Sequence, residues 1–403
     1  MTAYSIWPYF LCMAVLLWLA SLPAFKAADT PPNPKGERVS TLDGLRGLLA
    51  LAVFFHHSAI YHTFLMDGAW ADPPSRFYRM LGPCGVSLFF MITGYLFWSR
   101  MLKAAGKPNW IQLYVGRLFR IGPLYLFAAA VLVTIVFCKT GPHINVPPLQ
   151  LAKDLLKWST LGLSTPHLNG FAPTSTIIAG VTWTLEYEWR FYASLVITAF
   201  LARNAGMGLG FCLTGFVACL AWIGFRPETL SPVAVLNLVC AAFFFSGMIC
   251  ASLGQKGKLI KLPDTLASVL IIVLLGVLLT AFEFPYGVGP VVVSAAVFYF
   301  IISGCTVFGL LTSRPARRLG DISYGIYLLQ GLVLYIVFSI PQARALALGS
   351  PEMHWALMLF CSVLLIVIAT ITHVYIERTG IDLGKRVAGM LGKPTAPAVA
   401  TGV

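Results

Sequence analysis

The chain has 403 residues, of which 58% are hydrophobic and 11% are charged, and its formal net charge is +13. Soluble domains contain about 25% charged residues, so this composition excludes a soluble globular protein and predicts an all-α, polytopic helical membrane protein. The positive charge alone could indicate nucleic acid, but its distribution along the chain is explained by membrane topology, and no nucleic-acid partner is expected.

Apolar runs of about 20 residues, the length that crosses a hydrocarbon core of about 30 Å as a helix, recur along the whole chain. They predict about eleven transmembrane helices, at residues 6–25, 44–65, 83–101, 118–138, 186–202, 207–225, 233–253, 264–282, 289–311, 321–340 and 355–375. The segment 139–185 is the one substantial extramembrane segment. We divide the chain into an extra N-terminal transmembrane helix with a cytosolic linker (1–39), a membrane-embedded domain (40–386) and a flexible cytosolic tail (387–403).

The basic residues are distributed unevenly between the two sides of the membrane. If the segment 26–43 is cytosolic, twenty of the 28 Lys and Arg residues fall on the cytosolic side, seven fall on the opposite side, and Arg190 lies within a span. By the positive-inside rule this predicts an inner (plasma) membrane protein with a cytosolic C-terminus and an external N-terminus. The first span could alternatively be a cleaved signal peptide, but basic residues follow it rather than precede it, which favours a retained helix.

The second predicted span contains Arg46 and, eleven residues later, His57. Eleven residues are about three helical turns and about 16 Å of rise, so both side chains project from the same face of the helix. Ionisable groups at this depth cost about 2.5 kcal/mol or more unless paired or hydrated, and are therefore functional candidates. Arg46 predicts anion binding or transition-state stabilisation, with a snorkelling membrane anchor as the alternative. His57 predicts a general base, with a buried, hydrogen-bonded histidine as the alternative.

The third and fourth spans carry two further patterns. Gly85 and Gly94 are small residues that would allow close contact between helices. Arg117 and Arg120 lie about one turn apart at the cytosolic edge of the fourth span, where the positive-inside rule alone would place basic residues. With Arg100 at a similar depth, they alternatively form a clamp for the phosphates of a nucleotide-bearing donor.

An aromatic and acidic cluster lies at the outer end of the fifth span. Trp183 and Tyr192 are typical of an interfacial aromatic belt, and Glu186 precedes Arg190 by four residues, the favourable order for a helical ion pair. Glu188 is thereby left without a local partner. We interpret Glu188 as a hydrogen-bond acceptor within an aromatic platform that binds sugar hydroxyls from the outer side.

Several other polar residues have structural explanations. Asp43, and either Asp321 or Ser323, are expected to cap the helices that follow them, and Gln330 is expected to hydrogen-bond to a neighbouring helix. The nine cysteines are scattered without a Cys-x-x-Cys pair, so neither a zinc site nor a disulfide framework is indicated. Packing is the expected role of the cysteines.

Taken in order, these segments resemble the acyltransferase-3 family of integral membrane O-acyltransferases. The family's Leu-Asp-Gly-Leu-Arg-Gly start with Arg-x(10)-His falls on Arg46 and His57, and its Gly-Val-Asp-Leu-Phe-Phe-x-x-Ser-Gly-Phe-Leu motif falls on residues 85–96. Its Arg-x-x-Arg-Ile-x-Pro-x-Tyr motif falls on residues 117–125, and Trp-Ser-Leu-x-x-Glu-x-x-Phe-Tyr falls on residues 183–192. Each motif alone is loose, but their collinear order is specific.

The resemblance covers roughly residues 40–386. It implies ten core helices that transfer an acyl group, commonly acetyl from cytosolic acetyl-CoA, to a hydroxyl of a cell-envelope or secreted carbohydrate. Acetyl-CoA, or another short acyl-CoA, would be a co-substrate rather than a permanently bound cofactor. The partners are then the acyl-CoA donor, the carbohydrate acceptor and membrane lipids, and a homo-oligomer or a polysaccharide-assembly complex is compatible with this interpretation.

We combine the patterns and the resemblance into a set of expected site residues. The predicted catalytic residues are His57 and Arg46, the donor-binding residues are Arg117, Arg120 and Arg100, and the acceptor-binding residues are Glu188, Trp183 and Tyr192. Three positions depart from the family pattern, because Ser87 replaces an acid, Gln330 replaces a histidine and Thr379 replaces a proline. A transporter that moves a sugar or acyl compound without chemistry is the alternative function, and a structural partner in an envelope polysaccharide complex is a third.

Overall fold

A computed structural model describes residues 2–29, 39–225 and 231–391, and these residues form α-helices and short helical turns but no strand. The predicted all-α fold is confirmed, and a helix occupies each of the eleven predicted spans. The helices are α1 (Trp7–Ser21), α2 (Ser40–Asp67), α3 (Arg76–Lys103), α4 (Trp110–Thr140), α5 (Pro148–Trp158), α6 (Trp183–Thr198), α7 (Ala205–Phe225), α8 (Pro232–Gln255), α9 (Asp264–Thr280), α10 (Val288–Ile302), α11 (Arg314–Asp321), α12 (Ser323–Phe338), α13 (Pro341–Gly349), α14 (Pro351–Thr372) and α15 (Arg378–Leu391).

Among the described helices, six are long and apolar enough to cross a membrane: α2, α3, α4, α7, α8 and the continuous helix that contains α14 and α15. The pair α11 and α12, which is bent by 66°, would make a seventh span. Helices α1, α9 and α10 are apolar but shorter. The protein is therefore a polytopic membrane protein, while the number of eleven spans stays a prediction.

Helices α2, α3 and α8 form the centre of the bundle, because glycines stand where their backbones cross. A Cβ atom added at Gly94 would lie 2.4 Å from the carbonyl oxygen of Phe244, and one added at Gly247 would lie 2.0 Å from that of Met91. A Cβ at Gly85 would lie 2.8 Å from a valine side chain of α2. These distances are too short for any other residue, so the close helix contacts predicted at Gly85 and Gly94 are confirmed.

The expected caps are wrong at both helices for which they were predicted. Helix α2 has Val39 at its N-cap position, so Asp43 lies in the first turn of the helix. There its negative charge interacts favourably with the positive end of the helix dipole. Asp321 is the last residue of α11, and no side chain caps α12. Ser323 instead donates a hydrogen bond of 2.8 Å to the carbonyl oxygen three residues before it.

Part of the segment 139–185 is packed against the helices of the bundle, and its predicted position outside the membrane stays a prediction. After the amphipathic helix α5, residues 174–182 pack inside the bundle against α4 and α12. The hydroxyl of Tyr61 on α2 donates to the carbonyl oxygen of Thr176 at 3.1 Å. A Cβ at Gly331 of α12 would lie 2.2 Å from the backbone of this segment. Helix α6 therefore begins inside the bundle and not at its outer surface.

The N-terminal helix α1 and the turn that follows it dock on α11 through a buried arginine. Arg318, 3% exposed, donates hydrogen bonds to the carboxylate of Asp29 and to three backbone carbonyls at the end of α1. Arg378 donates to the carbonyl oxygens of Ala28 and Asp29. The hydrogen bond from Arg318 holds the pKa of Asp29 below its usual value. The predicted extra N-terminal helix is thus packed directly on the rest of the bundle.

The last helix is continuous from Pro351 to Leu391, with a π-helical turn at His373–Glu377. It extends five residues into the predicted tail. The rest of that tail, at 392–403, and the predicted linker at 30–38 lie outside the described residues.

Candidate active site

A large cavity of about 1980 Å³ opens at the end of the bundle where α2 and α4 begin and where α3 and α8 end. We name this end the basic end, because Arg100, Lys103, Lys261 and Lys385 line the opening. In total, eight Lys or Arg residues and four Asp or Glu residues line the cavity. The cavity is therefore net positive and suits an anionic ligand.

Three of the lining cations are the arginines singled out by the sequence, Arg46, Arg117 and Arg120, and all three are half-buried. Within the described part of the chain, none of them makes a hydrogen bond or a carboxylate ion pair. Arg117 instead stacks over the ring of Phe97, with its guanidinium 4.2 Å from the ring centroid. At Arg46 the attraction to Asp43 is larger than the repulsion from Arg117, and Glu188 and Asp321 attract it as well. At Arg120, in contrast, the repulsion from Arg46 and Arg117 exceeds the attraction to Glu377. A negatively charged ligand would supply the missing partners.

Glu188 lies in this same cavity and not on a separate outer platform. Its carboxylate accepts a hydrogen bond of 2.7 Å from Tyr192, one turn later on α6, and one of 3.3 Å from Thr93 on α3. The expectation that Glu188 lacks a local partner is therefore wrong. It reaches the cavity because α6 begins deep inside the bundle, which brings the first turns of α6 to the level of the arginines.

Trp183 and Tyr192 are not among the described residues that line the cavity. Trp183 packs edge-on against Tyr187, with ring centroids 5.6 Å apart, and Tyr192 is fully buried with its hydroxyl on Glu188. The ion pair expected between Glu186 and Arg190 is present. Any contact of Trp183 or Tyr192 with a substrate stays a prediction, and in the structure both residues support α6.

His57 is half-buried on α2, and its Nδ1 atom lies 3.3 Å from Oε1 of Gln330 on α12. The amide of Gln330 is oriented by a second hydrogen bond, because its Nε2 donates to the carbonyl oxygen of Tyr327 at 2.8 Å. Oε1 must then accept, so Nδ1 of His57 carries the proton and Nε2 of the neutral ring keeps its lone pair. This is the tautomer that a general base requires. The expected role of Gln330 in bonding to a neighbouring helix is confirmed.

Arg46 and His57 lie on one helix, but they do not share one cavity. His57 is not among the described residues that line the basic-end cavity, whereas Phe89 and Tyr327 are. The rings of Phe89 and Tyr327 meet edge to face with centroids 5.9 Å apart. This aromatic pair, which the sequence patterns did not indicate, thus lies in the cavity wall, whereas His57 lies outside the lining.

A second polar group that sequence analysis missed lies at the end of the last apolar span. His373 lines the cavity, and its Nε2 accepts a hydrogen bond of 3.2 Å from Arg378. Its Nδ1 is 3.4 Å from the carboxylate of Glu377, which is 1% exposed. Three ionisable residues close together in an apolar helix could have been recognised in the sequence as a candidate functional cluster. The directions in which their side chains point could not be predicted, because the π-helical turn rotates them relative to a regular helix.

A family comparison identifies the class of enzyme to which the chain belongs. A family model described as an acyltransferase domain matches residues 39–374, a range that includes His57, Arg46, Arg117, Arg120 and Glu188. The chain belongs to the acyltransferase-3 family. It is therefore a membrane acyltransferase, as the resemblance of its motifs indicated.

Curated relatives carry names consistent with this membership. The chain is 26% identical over 331 residues to "Acyltransferase MdmB" from Streptomyces mycarofaciens, which covers 75% of this acyltransferase and 80% of the relative. It is 27% identical over 292 residues to "Exopolysaccharide production protein ExoZ" from Rhizobium meliloti, which covers 69% of this acyltransferase and 84% of the relative. No solved structure matches the chain.

Proposed function

We propose that this acyltransferase moves an acetyl group from acetyl-CoA to a hydroxyl of a cell-envelope or secreted carbohydrate, with His57 as general base. The observation that carries the proposal is the net positive cavity of a chain of the acyltransferase-3 family, in which the side chains of Arg46, Arg117 and Arg120 make no hydrogen bond or ion pair with described residues. CoA carries several phosphate charges on a long thiol-bearing arm, which fits a large cationic cavity.

The donor enters from the basic end in this proposal. Arg117 and Arg120, with Arg100 at the opening, bind the CoA phosphates, because guanidinium groups donate paired hydrogen bonds to phosphate oxygens. Arg46 lies about 16 Å along α2 from His57, so we assign it to a phosphate rather than to the oxyanion at the reacting carbonyl. Glu188 shares the cavity with these arginines, so we assign it to the donor, where its carboxylate retains capacity to accept from an amide N–H group.

The chemical step takes place at His57. Its Nε2 removes the proton of the acceptor hydroxyl as the hydroxyl oxygen forms a bond with the acyl carbonyl carbon. The carbon–sulfur bond then breaks, and the CoA thiolate takes the proton back from His57. Gln330 holds the ring in the reactive tautomer throughout, so it acts as a positioning residue, and it needs no acid–base chemistry of its own.

The acceptor approaches from the end opposite the basic end. The excess of basic residues supports a cytosolic basic end and a cytosolic C-terminus in the plasma membrane. Acyl-CoA is then taken from the cytosol, and the carbohydrate is acylated on the outer side. The name of the relative ExoZ, an exopolysaccharide production protein, supports a polysaccharide as the acceptor class.

The test is acetyl transfer by the purified full-length protein, given labelled acetyl-CoA and an extract of cell-envelope sugars. We expect label on a saccharide, and we expect His57→Ala to reduce the rate by about 10²–10⁴-fold, the usual contribution of a general base. The matched control is His167→Ala, because His167 is an exposed histidine in the loop before α6. If His57→Ala, present in the membrane at wild-type amounts, keeps more than about a tenth of the activity, His57 is not the base. If the protein moves sugar across a membrane and no label appears on the sugar, the protein is a transporter and the proposed transferase activity is wrong.

A further inference from the structure

A pinned aromatic pair lies in the deep part of the cavity wall, where Val86, about one turn farther from the basic end on α3, also lines the cavity. Tyr327 on α12 is half-buried, and its hydroxyl lies 3.0 Å from Oγ1 of Thr184 on α6 and 3.3 Å from the carbonyl oxygen of Val181. Phe89 of α3 packs edge-on against the same ring, at 5.9 Å between centroids. Three helices, α3, α6 and α12, therefore meet at this pair.

His57 lies farther from the basic end than the pair does. Gln330, which bonds to His57, follows Tyr327 by three residues, which is about 4.5 Å along α12. On α3, a Cβ at Gly82 would touch the ring of His56, the neighbour of His57, so Gly82 marks the level of the histidine. Phe89 is seven residues, or about two turns, from Gly82 in the direction of the cavity. A group that moves from the basic end of the cavity to His57 must therefore pass the level of Phe89 and Tyr327.

We infer that Phe89 and Tyr327 form an acyl gate, which admits a two-carbon acyl group to His57 and rejects longer chains. The inference rests on the proposed function, in which the acyl group travels from the cavity to His57. A thioester carrying acetyl places one methyl group at the pair, and rotation of Tyr327 away from Thr184 makes room for it. Each further methylene must be accommodated among closely packed rings, where added volume is costly.

The test compares the kcat/KM for acetyl-CoA, butyryl-CoA and hexanoyl-CoA in the wild-type enzyme and in gate variants. We expect the wild-type enzyme to prefer acetyl-CoA, and we expect Phe89→Ala and Tyr327→Ala each to raise the hexanoyl-to-acetyl ratio by at least about tenfold, the smaller effect of one methylene in a specificity pocket. Tyr327→Phe keeps the ring and loses only the hydroxyl, so it should leave the ratio within about threefold. Tyr335→Ala, on the same helix but outside the cavity lining, is the control and should leave the ratio unchanged.

The outcomes separate the gate from the function on which it rests. If the wild-type enzyme uses hexanoyl-CoA as well as acetyl-CoA, or if the ratio is unchanged in both alanine variants, the gate is wrong while the transferase stands. If the wild-type enzyme transfers no acyl group from any CoA ester, the proposed function fails, and the gate fails with it. Phe89→Val provides a milder variant if an alanine variant is lost from the membrane, and it should shift the ratio in the same direction.

Discussion

At the scale of single residues, the most informative feature is a set of three arginines that form no ion pair or side-chain hydrogen bond with the residues that the structure describes. A charge held in a partly buried wall is costly unless a counter-charge is supplied. Arg120 is repelled by Arg46 and Arg117, and the carboxylates that attract Arg46 do so without forming an ion pair with it. Such an arrangement is typical of a binding site for a polyanion.

Substitution of one of these arginines tests that interpretation directly. Arg117→Gln should weaken CoA binding by about 10- to 100-fold, since a hydrogen bond to a charged group contributes about 1.5–3 kcal/mol. The measurement is the dissociation constant of CoA by isothermal titration calorimetry in detergent. Arg203→Gln is the matched control, because Arg203 is an exposed arginine outside the cavity lining. Equal effects of the two substitutions would mean that only the overall charge matters and that Arg117 is not a ligand.

Sequence patterns predicted some of these residues well and others poorly, for identifiable reasons. The lining arginines were predictable, because a cation near a membrane edge needs an external explanation whatever the packing. The position of Glu188 was not predictable, because it depends on the residue at which α6 begins. The burial of residues 174–182 determines that starting point. Ser87, which stands where the family has an acid, is buried and donates to the carbonyl oxygen of Pro83 in its own helix, so it is accounted for as a helix residue.

At the scale of helices, the contact between α3 and α8 depends on glycine. The Cβ that Gly247→Ala would introduce lies 2.0 Å from the carbonyl oxygen of Met91, and a backbone atom cannot move aside as a flexible side chain can. We expect the two helices to separate, at a cost of about 1–3 kcal/mol, the usual range for overpacking. The measurement is the thermal unfolding midpoint in detergent, which should fall.

The control for this prediction is a glycine in the same kind of helix but without a neighbour. Gly276 lies within α9, and a Cβ added there would have no atom within 4 Å. Gly276→Ala should leave the unfolding midpoint unchanged or raise it slightly, because alanine is favoured over glycine in a helix by about 0.5–1 kcal/mol. A midpoint for Gly247→Ala equal to that of Gly276→Ala would show that α3 and α8 can separate without penalty.

The helices themselves were predictable, and their exact paths were not. Hydropathy places all eleven apolar segments, because a helix is the simplest way to satisfy backbone hydrogen bonds in lipid. The bend of 66° between α11 and α12 and the π-helical turn at His373–Glu377 follow from packing against distant parts of the chain. No local pattern of apolar residues encodes such contacts, so the positions of Asp321 and Glu377 needed the structure.

At the scale of the whole molecule, the two ends of the bundle differ in charge and in their distance from His57. The basic end holds the cavity, and Phe89 and Tyr327 lie in the cavity wall between this end and the level of His57. Such an arrangement suits a donor and an acceptor that approach His57 from opposite ends of the bundle. This interpretation requires that the basic end face the cytosol, where acyl-CoA is available.

Orientation can be measured with single cysteines and a membrane-impermeant maleimide. Eight of the nine native cysteines are buried, and Cys138 is exposed. The Cys138→Ser variant therefore has no exposed native thiol that would react with the maleimide. Lys153→Cys adds an exposed thiol on α5, which follows the end of α4 farthest from the cavity, and Lys258→Cys adds one in the loop after α8 at the basic end. We expect Lys153→Cys to label in intact cells and Lys258→Cys to label only after lysis. The reverse pattern would place the cavity outside the cell, away from acyl-CoA, and would remove the physical basis for the proposed direction of transfer.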